Sequence, residues 1–344
     1  MDLTSAAGQL EPGVRLIDME ALAAPIGRVR ATLRRLRIRR DQFAEAVVLQ
    51  HGLRLWLTDR PAALALLRRA RLSMQRESPA LSAIIEANAV RVAPPHPPLA
   101  GPPVPCEWFA PHKGAPRGFV FYVHGGSFIA ERSARLTAMV ARFAAHANAR
   151  VFTPNYRLAP EHPCPAAVED IVAAFQWLRA TWPDEPVVAL ADSAGASVLT
   201  AALQLTRDAG EAMPQGVVLL SPWIDLSLQS WSVVAASMGA TSGTNMVHLG
   251  LMTHLYLQGR SATDPLASPL FGDFADFPPM LIHASKGDIL YDDAVRLAER
   301  VRDAGGDLTV RLWEAETHVW EQTSSAKARQ SIELASGFIR RCLD

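Results

Sequence analysis

A serine, an aspartate and a histidine each stand just beyond an apolar run of the sequence. They are Ser193, Asp288 and His318, in that order along the chain. A serine hydroxyl is a poor nucleophile until a neighbouring imidazole accepts its proton, and a carboxylate orients and stabilises that imidazole. If the fold brings the three together, they form the reacting set for acyl transfer.

Each of the three also has an ordinary structural interpretation. A serine just before a helix is usually an N-cap, and Asp288 fits a cap of the helix that follows it. A single histidine such as His318 is more often structural or on the surface. The joint arrangement favours the catalytic interpretation, because one topology predicts all three positions.

The apolar runs belong to an alternation of strands and helices. Strands are predicted at 118–123, 150–155, 186–191, 216–220, 279–284 and 307–313, and helices near 133–147, 165–181, 194–209, 292–304 and 325–341. Such alternation predicts a mostly parallel sheet covered on both faces. Reactive residues of such sheets collect at the carboxyl ends of the strands, which is where the three residues stand.

A further loop of small residues follows the first predicted strand. It reads H-G-G-S-F, residues 124–128. Successive small residues allow backbone N–H groups to point at a developing oxyanion. The loop is therefore a candidate oxyanion hole, provided that it lies beside the serine.

Several motifs complete the pattern. They are H-G-G-S-F (124–128), Y-R-L-A-P-E-H-P-C-P-A-A (156–167), D-S-A-G (192–195), S-P-W-I-D-L (221–226) and D-P-L-A-S-P-L (264–270). Together with the order Ser…Asp…His, they resemble the hormone-sensitive-lipase family of α/β-hydrolases, the bacterial family IV esterases. The resemblance covers residues 104–342. It implies an α/β-hydrolase fold, with a mostly parallel eight-stranded sheet flanked by helices and a helical cap.

The resemblance also implies a function. The family hydrolyses short to medium acyl esters of small molecules, without a metal or an organic cofactor. On this chain it implies that Ser193 is the nucleophile, His318 its general base and then acid, and Asp288 the orienting carboxylate. The implied oxyanion donors are the backbone N–H groups of Gly126, Ser127 and Ala194, and the implied loop supports are His124, Gly125 and Glu161.

Three positions depart from the family pattern. Ser127 stands where a third glycine is usual, and we expect it to be tolerated if its φ stays negative. Ala191 and Ala196 replace glycines that flank the serine. A methyl group is the smallest possible addition. We therefore expect the tight strand-to-helix turn that carries Ser193, the nucleophile elbow, to tolerate both alanines. The substrate pocket is predicted to include Phe128, Asp192, Trp231, Val319 and Trp320, with a core position as an equal alternative for Trp320.

The chain of 344 residues is 49% hydrophobic and 20% charged, which is a globular composition. Residues 1–90 are predicted to be a helical cap region, in which Pro61 follows a capping pair, Thr58-Asp59. A linker at 91–105 is rich in proline. Residues 106–344 are predicted to be the catalytic domain, with a cap insertion at about 231–262.

Charge and cysteine content bound the partners and the compartment. The net charge of zero gives no indication of nucleic-acid binding. Seven arginines within 28–40 are interpreted as the solvated face of an amphipathic helix, with a membrane-surface or partner-docking helix as the alternative. Three widely spaced cysteines, no signal peptide and no membrane-spanning run predict a cytoplasmic protein. The oligomeric state stays open, a homodimer included.

Two alternatives to an esterase remain at this stage. The same triad acts on lactones, amides or carbamates in related enzymes. A non-catalytic relative would hold a ligand in the pocket without turnover.

Overall fold

One eight-stranded sheet organises the fold. Its strands are β1 (Ala89–Arg91), β2 (Cys106–Pro111), β3 (Phe119–Val123), β4 (Arg150–Pro154), β5 (Val187–Asp192), β6 (Gly216–Leu220), β7 (Met280–Ser285) and β8 (Leu308–Trp313). The strand order is β1-β2-β4-β3-β5-β6-β7-β8. The β1–β2 and β2–β4 pairs are antiparallel, and all other neighbours are parallel. The predicted fold class is therefore confirmed.

The computed structural model describes residues 56, 58–93, 101–238, 246–314 and 316–344. These residues all belong to one compact unit. The arginine-rich segment 28–40 and residues 94–100 of the predicted linker lie outside the described residues. Among the helices described, none is both long and apolar enough to cross a membrane.

Helices cover the sheet. They are α1 (Arg60–Met74), α2 (Pro79–Asn88), α3 (Ala134–Ala147), α4 (Ala166–Thr181), α5 (Ala194–Asp208), α6 (Trp231–Met238), α7 (Met246–Leu257), α8 (Tyr291–Asp303) and α9 (Ala326–Leu343). The predicted start of α1 is confirmed: the Asp59 carboxylate accepts a hydrogen bond from the N–H of Ala62, at 3.1 Å. Such a bond satisfies a donor that the first turn leaves unpaired.

The central strands are buried on both faces. Every residue of β3, β5, β6 and β7 is buried. Alternate residues of β3 enter opposite cores, since Phe121 packs in one apolar cluster and Val120 in the other. This is why these strands read as continuous apolar runs in the sequence, and all six predicted strands lie within one residue of those observed.

The first two strands were not predicted from the pattern. β1 has only three residues, and β2 is half-buried, so neither gives a clear apolar run. Ile85 of α2 and Ala89 of β1 pack in the same cluster as Val120. Residues 79–90 of the predicted cap region thus pack on the sheet, while the cap and linker boundaries remain predictions.

Candidate active site

Three side chains from three strand ends form a hydrogen-bonded chain. Ser193 Oγ lies 2.8 Å from His318 Nε2, and His318 Nδ1 lies 2.9 Å from Asp288 Oδ2. Ser193 follows β5, Asp288 lies three residues after β7 and His318 five residues after β8. In this arrangement the imidazole can accept the serine proton while the carboxylate orients it.

The backbone at Ser193 is strained in a way that an ordinary helix cap is not. Its φ is 50° and its ψ is −127°, and its side chain makes no capping bond to α5. The strained residue is held on both sides: its N–H donates to Leu220 O at 3.0 Å, and its C=O accepts from Trp223 N at 3.1 Å. Left-handed non-glycine residues persist only where the surroundings hold them, often at reactive sites.

Close backbone contact explains the small residues beside Ser193. A Cβ built on Gly195 would lie 2.4 Å from the carbonyl oxygen of Val123 and 2.6 Å from that of His124. Only glycine fits there, because backbone atoms cannot move aside as a flexible side chain can. Ala191, two residues before the serine, pairs with Val123 in the sheet and is fully buried.

Asp288 and His318 shift each other's pKa. Burial raises the pKa of Asp288, but the facing His318 and the N–H of Leu290 outweigh it and hold that pKa below its usual value. Burial lowers the pKa of His318, but the charge and hydrogen bond of Asp288 outweigh it and raise that pKa above its usual value. Asp288 therefore stays ionised and stabilises the imidazolium that forms when His318 takes a proton.

Hydroxyl groups fix the loop that carries His318. The N–H of Glu316 donates to Ser285 Oγ at 2.8 Å, and the N–H of Val319 donates to Ser221 Oγ at 3.2 Å. Val319 itself has a left-handed φ of 45°. The histidine is thus held on both sides by side chains at the ends of β6 and β7.

Three buried polar side chains also hold the loop that carries His318. His283 Nδ1 donates to Ser331 Oγ at 2.7 Å, and the Ser331 hydroxyl donates to Glu321 Oε1 at 2.6 Å. All three residues are fully buried. Arg142 also donates to the Glu321 carbonyl, at 2.9 Å. Glu321 comes three residues after His318, so this network limits movement of the base.

The loop at 124–128 has a continuous left-handed stretch. The φ values are 132° at Gly126, 53° at Ser127 and 65° at Phe128. Ser127 therefore does not meet the condition of a negative φ under which its side chain was expected to be tolerated, and the positive value gives a physical reason for the glycine usual there. The backbone N–H groups of Gly126, Ser127 and Ala194 donate to no protein acceptor among the described residues.

Asp192 holds the start of this loop from behind. Its Oδ1 accepts the N–H of Gly125 at 2.9 Å and the hydroxyl of Tyr122 at 2.5 Å. Burial raises the pKa of Asp192 to about 6, although both hydrogen bonds act to lower it. A Cβ on Gly125 would lie 2.3 Å from Asp192 Oδ2 and 3.0 Å from the Cβ of Ser193. The glycine therefore allows the loop to approach the serine.

His124 packs beneath the loop. Its ring stacks on Tyr156 with 4.4 Å between centroids, and its Nδ1 donates to Gly125 O at 2.7 Å. The hydroxyl of Tyr156 donates to the His124 carbonyl at 2.6 Å. Burial lowers the pKa of His124 to about 4, so the ring is neutral at neutral pH and serves as a hydrogen-bond donor.

Glu161 joins the loop region through a residue that the sequence did not single out. Both of its carboxylate oxygens accept from the guanidinium of Arg71, at 2.9 and 3.0 Å. The same guanidinium donates to the carbonyls of Ile129 at 2.7 Å and Ala159 at 2.8 Å. Arg71 is one arginine among many in its region, and only its burial distinguishes it.

The remaining candidates for the substrate pocket have different surroundings. Phe128 stacks on Tyr256 with 4.0 Å between centroids. Val319 and Trp320 are buried in the core, where Trp320 packs on Trp313. Trp231 is 70% exposed at the start of α6. Among the described residues, no cluster of three or more His, Cys, Asp or Glu could hold a metal ion.

Comparison with known proteins is consistent with this geometry. Residues 120–322 match the family described as having the alpha/beta hydrolase fold. The chain is 35% identical to an acetyl-hydrolase of Streptomyces hygroscopicus over 68% of this chain and 79% of that protein. It is 30% identical to an esterase of Acinetobacter venetianus over 58% of this chain and 66% of that protein.

Solved structures give the same answer. An esterase from the bacterial hormone-sensitive lipase (HSL) family is 30% identical, with a TM-score of 0.68 over 81% of this chain and 96% of that one. A hormone-sensitive lipase from a metagenome library is 30% identical, with a TM-score of 0.69 over 83% of this chain and 99% of that one. The chain therefore belongs to the α/β-hydrolase family, and its resemblance to the bacterial hormone-sensitive-lipase esterases is confirmed.

Proposed function

We propose that this protein is a serine carboxylesterase that hydrolyses short to medium acyl esters of small molecules through an acyl-enzyme on Ser193. The observation that carries the proposal is the hydrogen-bonded chain Ser193–His318–Asp288. The names of the relatives, acetyl-hydrolase and esterase, support the same reaction class.

Acylation begins when Ser193 Oγ attacks the ester carbonyl carbon and His318 Nε2 takes the serine proton. The carbonyl oxygen becomes an oxyanion, which the N–H groups of Gly126, Ser127 and Ala194 stabilise. Such preorganised donors are worth about 10²–10³-fold each in rate. The tetrahedral intermediate then collapses, and His318 gives its proton to the leaving alkoxide, so that the alcohol departs and an ester remains on Ser193.

Deacylation repeats the sequence with water. Neutral His318 removes a proton from the water as its oxygen attacks the acyl carbon. The second tetrahedral intermediate collapses, Ser193 recovers its proton from the imidazolium and the carboxylic acid leaves. Asp288 stabilises the imidazolium in both halves without taking the proton itself.

The insertion at about 231–262 is proposed to be the part of the cap that lies over the site. Burial is the main cause that lowers the pKa of His248 in α7 to about 4, and the charge of His318 contributes to it. This coupling supports a position of α7 near the catalytic base. The N–H of Ser232, at the start of α6, donates a hydrogen bond to the Asp292 carboxylate. The Ser232 hydroxyl donates to the carbonyl of Ile289, the residue after Asp288.

A cytoplasmic location is part of the proposal. It rests on the three cysteines, Cys106, Cys164 and Cys342, which are free thiols in the structure. Free thiols are typical of reducing compartments.

A series of p-nitrophenyl esters from acetate to laurate tests the function. We expect turnover of the shorter esters and its loss in Ser193→Ala. A p-nitroanilide, a p-nitrophenyl carbamate and a lactone whose ring opening is followed by acid release test the alternative reactions of the same triad. Saturable binding of the esters without release of p-nitrophenol would instead support the non-catalytic relative.

A further inference from the structure

The buried contacts of helix α1 with the other described residues include a polar one. Of its fifteen residues, only Ala63 and Arg71 are buried. An arginine is rarely buried unless all of its donors find partners. The contacts of Arg71 therefore decide what α1 does for the site.

The guanidinium of Arg71 spans two loops. Its Nε donates to Ile129 O, Nη1 to Glu161 Oε1, and Nη2 to both Ala159 O and Glu161 Oε2, all at 2.7 to 3.0 Å. Bidentate pairing with a carboxylate is the strongest geometry open to arginine and fixes its orientation. Burial raises the pKa of Glu161, but Arg71 outweighs it and holds that pKa below its usual value, so the pair is ionic.

The position of Ile129 gives this contact its consequence. Ile129 comes directly after the left-handed stretch Gly126, Ser127 and Phe128, two of which are not glycine. Such a stretch costs free energy and needs an external restraint. Asp192 restrains its beginning through the N–H of Gly125, and Arg71 restrains its end.

We propose that Arg71 is a positioning residue for the oxyanion hole, through which helix α1 becomes part of the catalytic apparatus. The inference rests on the proposed function. Arg71 acts through the backbone of residues 126–129 and does not touch the substrate. Its loss is therefore expected to weaken transition-state stabilisation more than substrate binding.

The test compares Arg71→Met with Arg69→Met, both on α1. Arg69 is exposed and makes no ion pair or hydrogen bond with the other described residues. For Arg71→Met we expect kcat for p-nitrophenyl acetate to fall about 10- to 100-fold, less than the about 10²–10³-fold loss of a whole oxyanion donor. KM is expected to stay within about threefold, and Arg69→Met to match the wild type.

Two readouts separate positioning from a merely structural role. A trifluoromethyl ketone forms a hemiketal on the serine, whose oxygen occupies the oxyanion hole, so its affinity is expected to fall in parallel with kcat/KM. Guanidinium chloride, well below denaturing concentrations, is expected to restore part of kcat in Arg71→Ala. Unchanged ketone affinity in a folded Arg71→Met variant, or a kcat equal to that of Arg69→Met, would overturn the inference.

Hydrogen exchange makes the test independent of turnover. The N–H groups of Ile129 and Ala130 donate to Gly126 O at 3.1 and 2.9 Å, and we expect their exchange to be at least about tenfold faster in Arg71→Met. Unchanged exchange in Arg71→Met would contradict the inference, whether or not the wild type hydrolyses an ester. A wild type that hydrolyses no ester would by itself contradict only the proposed function. If Arg71→Met does not fold, Arg71→Lys keeps the charge but not the bidentate geometry, and it is expected to show the same effects to a smaller degree.

Discussion

The triad and the oxyanion loop are built in different ways. Ser193, Asp288 and His318 all follow parallel strands, so the order of β5, β7 and β8 at one edge of the sheet brings them together. The oxyanion loop follows only one strand, and side chains from other segments hold it in a left-handed conformation. Asp192 and Arg71 provide those contacts, and the hydroxyl of Tyr122 supports Asp192.

This difference predicts which substitutions impair the triad and which impair the oxyanion loop. The triad should fail when its own members or the close backbone contacts around them change. The oxyanion loop should also fail when residues that never touch the substrate change, because its conformation depends on their hydrogen bonds. The following changes test this contrast, from the largest expected effect to the smallest.

Asp288→Asn attacks the triad directly. An amide cannot stabilise the imidazolium, and it favours the wrong tautomer of His318, so we expect kcat to fall by about 10⁴-fold, as in the general Ser-His-Asp scheme. In the wild type, kcat/KM should fall as the pH drops through the pKa of His318, which Asp288 raises above its usual value. Because Asp288 is what raises that pKa, the acid limb of the residual activity should move to lower pH in the variant.

A pH–rate profile of wild type and Asp288→Asn checks both parts. An acid limb that stays at the same pH in the two proteins would mean that Asp288 does not set the titration of the base. A flat wild-type profile down to about pH 5 would remove histidine from the role.

Gly195→Ala tests the backbone contact behind the serine. The added Cβ would lie 2.4 Å from Val123 O, so strand or helix must shift. We expect a loss of about 1–3 kcal/mol in the free energy of unfolding and at least about 10²-fold in kcat, since a shift of 1 Å at a reacting group has that effect. Gly337→Ala in α9 is the control, because its Cβ would meet nothing closer than 3.7 Å.

Kinetics and denaturant unfolding of the two alanine variants give the answer. A Gly195→Ala protein as active and stable as Gly337→Ala would show that the crossing of β3 and α5 is looser than the structure has it.

Tyr122→Phe removes a support of the oxyanion loop and leaves the reacting groups unchanged. It removes the 2.5 Å hydrogen bond to Asp192 and leaves that buried carboxylate with less support. We expect a stability loss of about 1–3 kcal/mol and a kcat reduced about three- to tenfold with little change in KM. Burst and steady-state kinetics measure it, and an equal rise in KM with unchanged kcat would assign Tyr122 to substrate binding instead.

Ala191 is expected to give the smallest effect on activity. Ala191→Gly should leave kcat within a few-fold, with a loss of about 0.5–1 kcal/mol in stability because glycine weakens a strand. Ala191→Val should cost about 1–3 kcal/mol by overpacking and displace the serine hydroxyl. A fully active, fully stable valine variant would show that residue 191 does not border a tight elbow.

The same contrast decides what the sequence could show. The strands and the triad were predictable, because fully buried parallel strands give continuous apolar runs and place their following residues at one edge. The antiparallel strands β1 and β2 were missed, since they are short or half-buried. The left-handed φ of Ser127 depends on tertiary restraints, which no local pattern of the sequence reveals.

Long-range polar contacts were the least predictable part. Arg71 contacts residues 58 to 90 positions away in the sequence, and nothing local marks it among its neighbouring arginines. Asp192 was expected in the substrate pocket, and the structure places it behind the glycine loop. Its hydrogen bonds to Gly125 and Tyr122 come from a different strand end, which no spacing in the sequence reveals.

The central claim is that Ser193 and His318 act as one catalytic unit. The most direct test is kcat for p-nitrophenyl acetate in Ser193→Ala, His318→Ala and the double variant. We expect each single change to lower kcat by about 10³-fold or more and the double variant to be hardly slower than either, because the unit is already lost. Losses that multiply in the double variant would mean that the two residues act independently, and would contradict their assignment to one catalytic unit.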